Sequence, residues 1–132
     1  MKKLLLIVAA FLATAAFTGC ASMADASAAR GTGTVHVYDR PFDEVWDAVT
    51  AAVKETDLKI VSENKADGTL LAERTMTAFS WGEKVAIFVD RVTGKVSTRV
   101  EVVSKRALAT NVTAPDWDKT LFKALDAKLG SQ

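Results

Sequence analysis

Lys95-Val96-Ser97-Thr98-Arg99-Val100-Glu101-Val102-Val103 carries the clearest period of two in the chain. Val96, Thr98, Val100 and Val102 project to one side of a strand, and Ser97, Arg99, Glu101 and Val103 to the other. Such alternation predicts a sheet with one buried face and one largely solvated face, the habit of antiparallel sheets. The apolar side then needs a second layer, and that layer has to come from amphipathic helices.

The stretches before it supply more strands. Lys84 to Val92 reads as a strand, joined to the next by a tight connection at Thr93-Gly94. Leu58 to Ser62 and Thr69 to about Thr77 form the arms of a hairpin around Asn64-Lys-Ala-Asp-Gly68, where Gly68 can take a positive φ. Thr34-Val-His-Val-Tyr38 is a first strand, broken by Asp39-Arg40-Pro41.

Two helices complete the pattern. Apolar residues at 42, 45, 46, 49, 52 and 53 follow the spacing of one helical face. Pro41 needs no N–H at that helix start, and Asp43 and Glu44 complement the positive end of its dipole. Trp117, Leu121, Ala124, Leu125 and Leu129 mark a second stripe, with Pro115 near its beginning and Gly130 past its end. Residues 34–130 are therefore expected to be one α+β domain, a two-layer sandwich in the order β-α-β-β-β-β-α. The sheet is mainly antiparallel and both helices lie on one face.

The amino terminus has a different character. Lys2 and Lys3 precede an uncharged run from Leu4 to Phe17, which is too short for the about 20 residues of a bilayer-spanning helix. The run ends in Phe17-Thr18-Gly19-Cys20, and this resembles the lipobox of bacterial lipoproteins. The resemblance implies that residues 1–19 are a signal peptide, cleaved between Gly19 and Cys20. It also implies a diacylglyceryl thioether on Cys20 and an acylated amino terminus, the chains being of the palmitate kind. At about 0.8 kcal/mol per buried CH₂, two or three chains hold a protein on a membrane almost permanently. Ala21 lacks the acidic character associated with inner-membrane retention, so the expected place is the outer membrane, facing the periplasm. Residues 20–33 are small and polar and are expected to form a tether. At about 5–6 Å × √n it would hold the domain roughly 20 Å from the lipid.

Composition narrows the remaining classes. Seventeen Lys and Arg balance sixteen Asp and Glu, which leaves no basic footprint for nucleic acid. Cys20 is the only cysteine, so no internal disulfide and no cysteine-cluster metal site can form.

Arg40-Pro-Phe-Asp-Glu-Val-Trp-Asp-Ala-Val49, Asp67-Gly68 and the Pro115-Asp-Trp117 helix opening resemble a group of small bacterial lipoproteins of unknown function. The layout is also similar to the helix-grip domains of the lipoprotein subunit in the outer-membrane β-barrel assembly machine. The resemblance covers most of residues 34–129. It implies a helix-grip-like sandwich on a lipid anchor, with an accessory or envelope-interaction role and no catalytic residues to carry over.

No residue pattern argues for chemistry. His36 is the only histidine, and between Val35 and Val37 it is expected to face outward or pack at the sheet edge. Asp43 with Asp47, and Asp116 with Asp118, sit where helix polarity already accounts for acidic residues. Gly31-x-Gly33 precedes a strand where a phosphate cradle would precede a helix. No catalytic residue, metal ligand or cofactor is expected. Trp46 and Trp117 read as core. Met76, Phe79 and Trp81 are large residues gathered where a strand pair turns over. They either fold over the sheet end as core or form a contact for an envelope protein, the membrane or a ligand. The expected function is that of a non-catalytic, membrane-anchored envelope lipoprotein serving protein interaction or envelope maintenance. The alternatives are a binding module for a small apolar ligand held between sheet and helices, and a hydrolase with dispersed residues.

Overall fold

A computed structural model describes residues 28–75, 82–105 and 115–130. The elements run β1 (Thr34–Tyr38), α1 (Phe42–Lys54), β2 (Leu58–Asn64), β3 (Thr69–Arg74), β4 (Lys84–Arg91), β5 (Thr98–Lys105) and α2 (Trp117–Leu129). This is the expected α+β order. The five strands form one open sheet in the order β1-β5-β4-β3-β2, with every neighbouring pair antiparallel.

Topology gives α1 its task. β1 and β2 lie at opposite edges of the sheet, so the connection between them must cross it. α1 makes that crossing with its apolar stripe turned inward, burying Phe42, Val45, Trp46, Val49, Ala52 and Val53, and Ala48 with them. Its first turn carries Asp43 and Glu44 and its last turn Lys54, each matched to the dipole end it meets. The Arg91 guanidinium of β4 lies 3.9 Å from the centre of the Phe42 ring and covers it where the helix begins. α2 packs beside α1 and buries Trp117, Leu121, Phe122, Leu125 and Leu129. It ends at Gly130, whose φ of 85° suits glycine.

Tyr38, Leu58, Leu70, Ala72, Val85, Ile87, Val89, Val100 and Val102 meet the two helices in a single core. Val45, Val53, Leu70, Val85 and Val100 are wholly buried there, and each such side chain contributes about 1.5–3 kcal/mol relative to exposure.

Two expectations need correction. β5 begins at Thr98, and residues 92–97 form a loop closed by the Val92 N–H donating to the Ser97 carbonyl at 3.0 Å. The reason lies outside the local sequence. Ser97 Oγ donates to Asp39 at 2.7 Å and Thr98 Oγ1 to the Arg40 carbonyl at 2.9 Å, which ties this corner to the β1–α1 connection. Val96 consequently stands 73% exposed, although it keeps the apolar phase of the strand.

The second correction concerns the sheet face away from the helices, whose centre is not wet. Leu71, Ala86, Phe88 and Val103 are buried there together with Ala29, in a second core. Glu101, expected in solvent, is fully buried on this face. The cover comes from residues 29–33, so the ordered domain begins before the expected boundary at residue 34.

Gly68 closes the β2–β3 turn. Its φ is 62°, and its carbonyl accepts from the Val89 N–H at 2.7 Å, joining the turn to β4. A Cβ here would collide with the Val89 carbonyl oxygen, whereas one at Gly94 (φ 77°) would meet open space. Gly94→Ala should therefore lower stability only by the about 1–2 kcal/mol of a left-handed non-glycine residue. Gly68→Ala should lower it by more, because the β3–β4 pairing must also shift. Urea unfolding of the two variants checks this, and equal midpoints would contradict it.

Candidate functional site

Gly19, Cys20, Met76, Phe79 and Trp81 lie outside the described residues. The described residues place their most elaborate polar arrangement on the outer sheet face, where the chain arriving from the amino terminus joins the domain.

That arrangement is built from β5 outward. Glu101 stands beside Phe88 in the β4–β5 register. Its Oε1 accepts from the backbone N–H groups of Gly31 at 2.6 Å and Gly33 at 3.0 Å, and its Oε2 from Arg99 at 3.0 Å. Burial pushes the Glu101 carboxyl up, but the donors Gly33, Gly31 and Arg99 outweigh it, and the net position is below the usual carboxylate range. Gly33 has to be glycine here, because a Cβ would strike the Val102 carbonyl.

Arg30 completes the attachment. Its guanidinium lies 4.6 Å from the centre of the Phe88 ring and bonds Asp90 at 2.7 Å. It also donates to the Asp67 carbonyl at 3.2 Å. Arg99 reaches the other oxygen of Asp90 at 3.5 Å, so Arg30, Asp90, Arg99 and Glu101 alternate in charge across the face. Ala29 sits over the apolar residues between them. The segment 29–33 is thus a strap, held by a buried carboxylate, a guanidinium and a methyl group.

The other candidates resolve as structural parts. His36 packs at the sheet edge, as expected, with its ring stacked 3.8 Å from that of Phe122. Tyr38 beside it donates to Asp126 at 2.8 Å, and burial first, then that carboxylate, raises the phenol above its ordinary value. Asp43 is held below its usual range by the Lys65 ammonium at 2.9 Å. Asp47 is exposed. Asp116 pairs with Lys119 at 2.8 Å. Asp118 is lowered first by its hydrogen bond with Asp116, then by the Thr34 hydroxyl at 2.8 Å. A cleft of about 250 Å³ opens beside this pair, lined by Thr32, Thr34, Ser104 and Asp116 among others. Trp46 and Trp117 are core, as expected, and the Trp117 Nε1–H has no hydrogen-bond partner among the described residues.

Three of these carboxylates, Asp43, Glu101 and Asp118, are held below their usual range by the donors around them. Among the described residues no three His, Cys, Asp or Glu gather as metal ligands.

Sequence reasoning missed the strap. One signal was present: Val85-Ala-Ile-Phe-Val89 is apolar at every position, the mark of a strand covered on both faces.

A solved structure of a protein from Nitrosospira multiformis, determined by a structural genomics consortium, superposes with a TM-score of 0.51 at 14% identity. The match covers 74% of this chain and 91% of the other. Ara h 8.0201 covers 75% of this chain and 100% of its own at a TM-score of 0.33 and 12% identity, too loosely to carry an argument. At 14% identity the first likeness concerns the fold alone, and it is consistent with the helix-grip-like layout. No protein-family model and no curated protein matches the chain.

The depressed Glu101 gives a signed pH dependence. Its stabilisation is complete above about pH 4.3, the value of an unperturbed Glu, and is lost as pH falls through the lower folded value. Glu101→Gln should cost about 1.5–3 kcal/mol at neutral pH, the worth of hydrogen bonds to a charged group. It should also flatten the acid limb of the stability profile. Denaturant titrations from neutral to acid pH check this, and parallel profiles for the two proteins would contradict it.

Proposed function

We propose that the protein is a lipid-anchored, non-catalytic component of the bacterial envelope, held on the outer membrane and facing the periplasm. Its domain serves protein contact or envelope maintenance. The observation that carries this reading is Phe17-Thr18-Gly19-Cys20, placed at the end of an uncharged run behind Lys2 and Lys3. The finer resemblance, to the small bacterial lipoproteins and more remotely to the β-barrel assembly subunit, belongs to the same proposal. The packing of the only histidine, His36, against Phe122 fits a non-catalytic role. For a small apolar ligand between the layers, the described residues offer no favouring observation, since Val45, Val49, Leu70, Ile87 and Leu121 are buried against one another there.

Intact-mass analysis of the mature protein, expressed in a bacterium with an outer membrane, tests the anchor. The expected product begins at Cys20 and carries acyl chains. Cys20→Ala should remain outside the outer-membrane fraction. A mature product with an unmodified thiol would contradict the proposal. Affinity capture from envelope extracts tests the partner. Phe79→Ala with Trp81→Ala should lose proteins that the unaltered chain recovers, and identical recoveries would remove the aromatic residues from the contact.

A further inference from the structure

We infer that the outer face of the sheet is apposed to the membrane, resting on anionic lipid headgroups. This rests on the lipid anchor proposed above, and two independent observations carry it. The first is where the leash ends. The strap is already bound at Ala29, at the middle of the outer face against β3, β4 and β5. Only residues 21–28 then separate Cys20 from the docked chain. Eight residues span at most about 26–29 Å.

That length decides which side faces the lipid. From the centre of a five-stranded sheet to its edge is about 12 Å, and passing a helix layer takes about as much again. Presenting the helices to the bilayer would draw the leash almost taut. With the outer face presented, the lipid lies well within that reach.

The second observation is charge. Lys59 of β2, Glu73 of β3, Lys84 of β4 and Lys105 of β5 stand at one register across four strands. Their neighbours Leu58, Ala72 and Val85 belong to the helix-side core, so alternation puts this row on the outer face. It lies two residues, about 7 Å, along the strands from Leu71, Ala86 and Val103, which Ala29 covers. Lys59 and Lys105 are exposed. Three lysines against one glutamate could not hold a free protein on a membrane. On a protein already tethered they bias which face settles onto anionic headgroups.

The test uses full-length, lipidated protein on vesicles of phosphatidylethanolamine and phosphatidylglycerol that contain an acceptor-labelled lipid. Lipid on Cys20 is first verified by mass, and an unmodified thiol would defeat the anchor itself, separately from the orientation. With the only native cysteine occupied, a donor fluorophore is placed at Val37→Cys on the outer face or at Lys123→Cys on α2. Energy transfer should be higher from position 37. A flexible Gly/Ser insert after Ser27 should abolish the difference, and Lys59→Gln with Lys84→Gln and Lys105→Gln should reduce it. Equal or reversed transfer with the native leash would overturn the inference, and so would shielding of position 37 by a captured protein. An unchanged difference in the lysine variants would overturn the part given to the headgroups.

Discussion

The Glu101 carboxylate, buried and accepting from two glycine N–H groups and Arg99, is the interaction on which the outer half of this domain depends. A buried charge without partners is strongly unfavourable, so its three donors are a condition of the fold. The consequences run in sequence. Once Gly31 and Gly33 are bound, Ala29 is held over Leu71, Ala86 and Val103, and Arg30 over Phe88. A large aromatic side chain in the middle of an otherwise open sheet face thereby leaves water. The sheet is covered by helices on one face and, at the centre of the other, by a strap of a few residues.

The helix side follows more ordinary logic. α1 crosses the sheet between its two edge strands, α2 lies beside it, and both bury continuous apolar stripes against alternate residues of all five strands. Local polarity agrees with this arrangement at the helix ends, through Asp43, Glu44 and Lys54. Agreement between local preference and tertiary packing is what lets a chain of this size settle on one structure. The two layers thus differ in kind. One is apolar and continuous, and the other is small, polar at its rim and held by a single carboxylate.

What was legible in the sequence divides along the same line. The α1 stripe, the hairpin turning at Gly68 and the order of elements could all be read, because each depends on residues close together in the chain. Phe122 escaped the α2 stripe because its partner, the stacked His36 ring, belongs to β1. Glu101 was placed in solvent because alternation treats a charged residue as exposed. Its two glycine donors lie 68 and 70 residues earlier, and no local pattern announces them. Gly31-x-Gly33 was a motif whose use could not be read: its glycines bring backbone N–H groups to a carboxylate and let β1 approach Val102. Of the candidate site, the proposed anchor at Cys20 and the proposed contact at Met76, Phe79 and Trp81 rest on sequence alone, while the strap of residues 29–33 emerged from the fold.

The strap links the two halves of the account, since any force from a lipid anchor would reach the domain through the Glu101 contacts. Amide hydrogen exchange at Gly31 and Gly33 tests it most directly. Both amides should exchange slowly in the unaltered protein, and Glu101→Ala should free them while the β5 amides keep their protection. Exchange of Gly31 and Gly33 at the rate of an unstructured chain, in the unaltered protein at neutral pH, would contradict it.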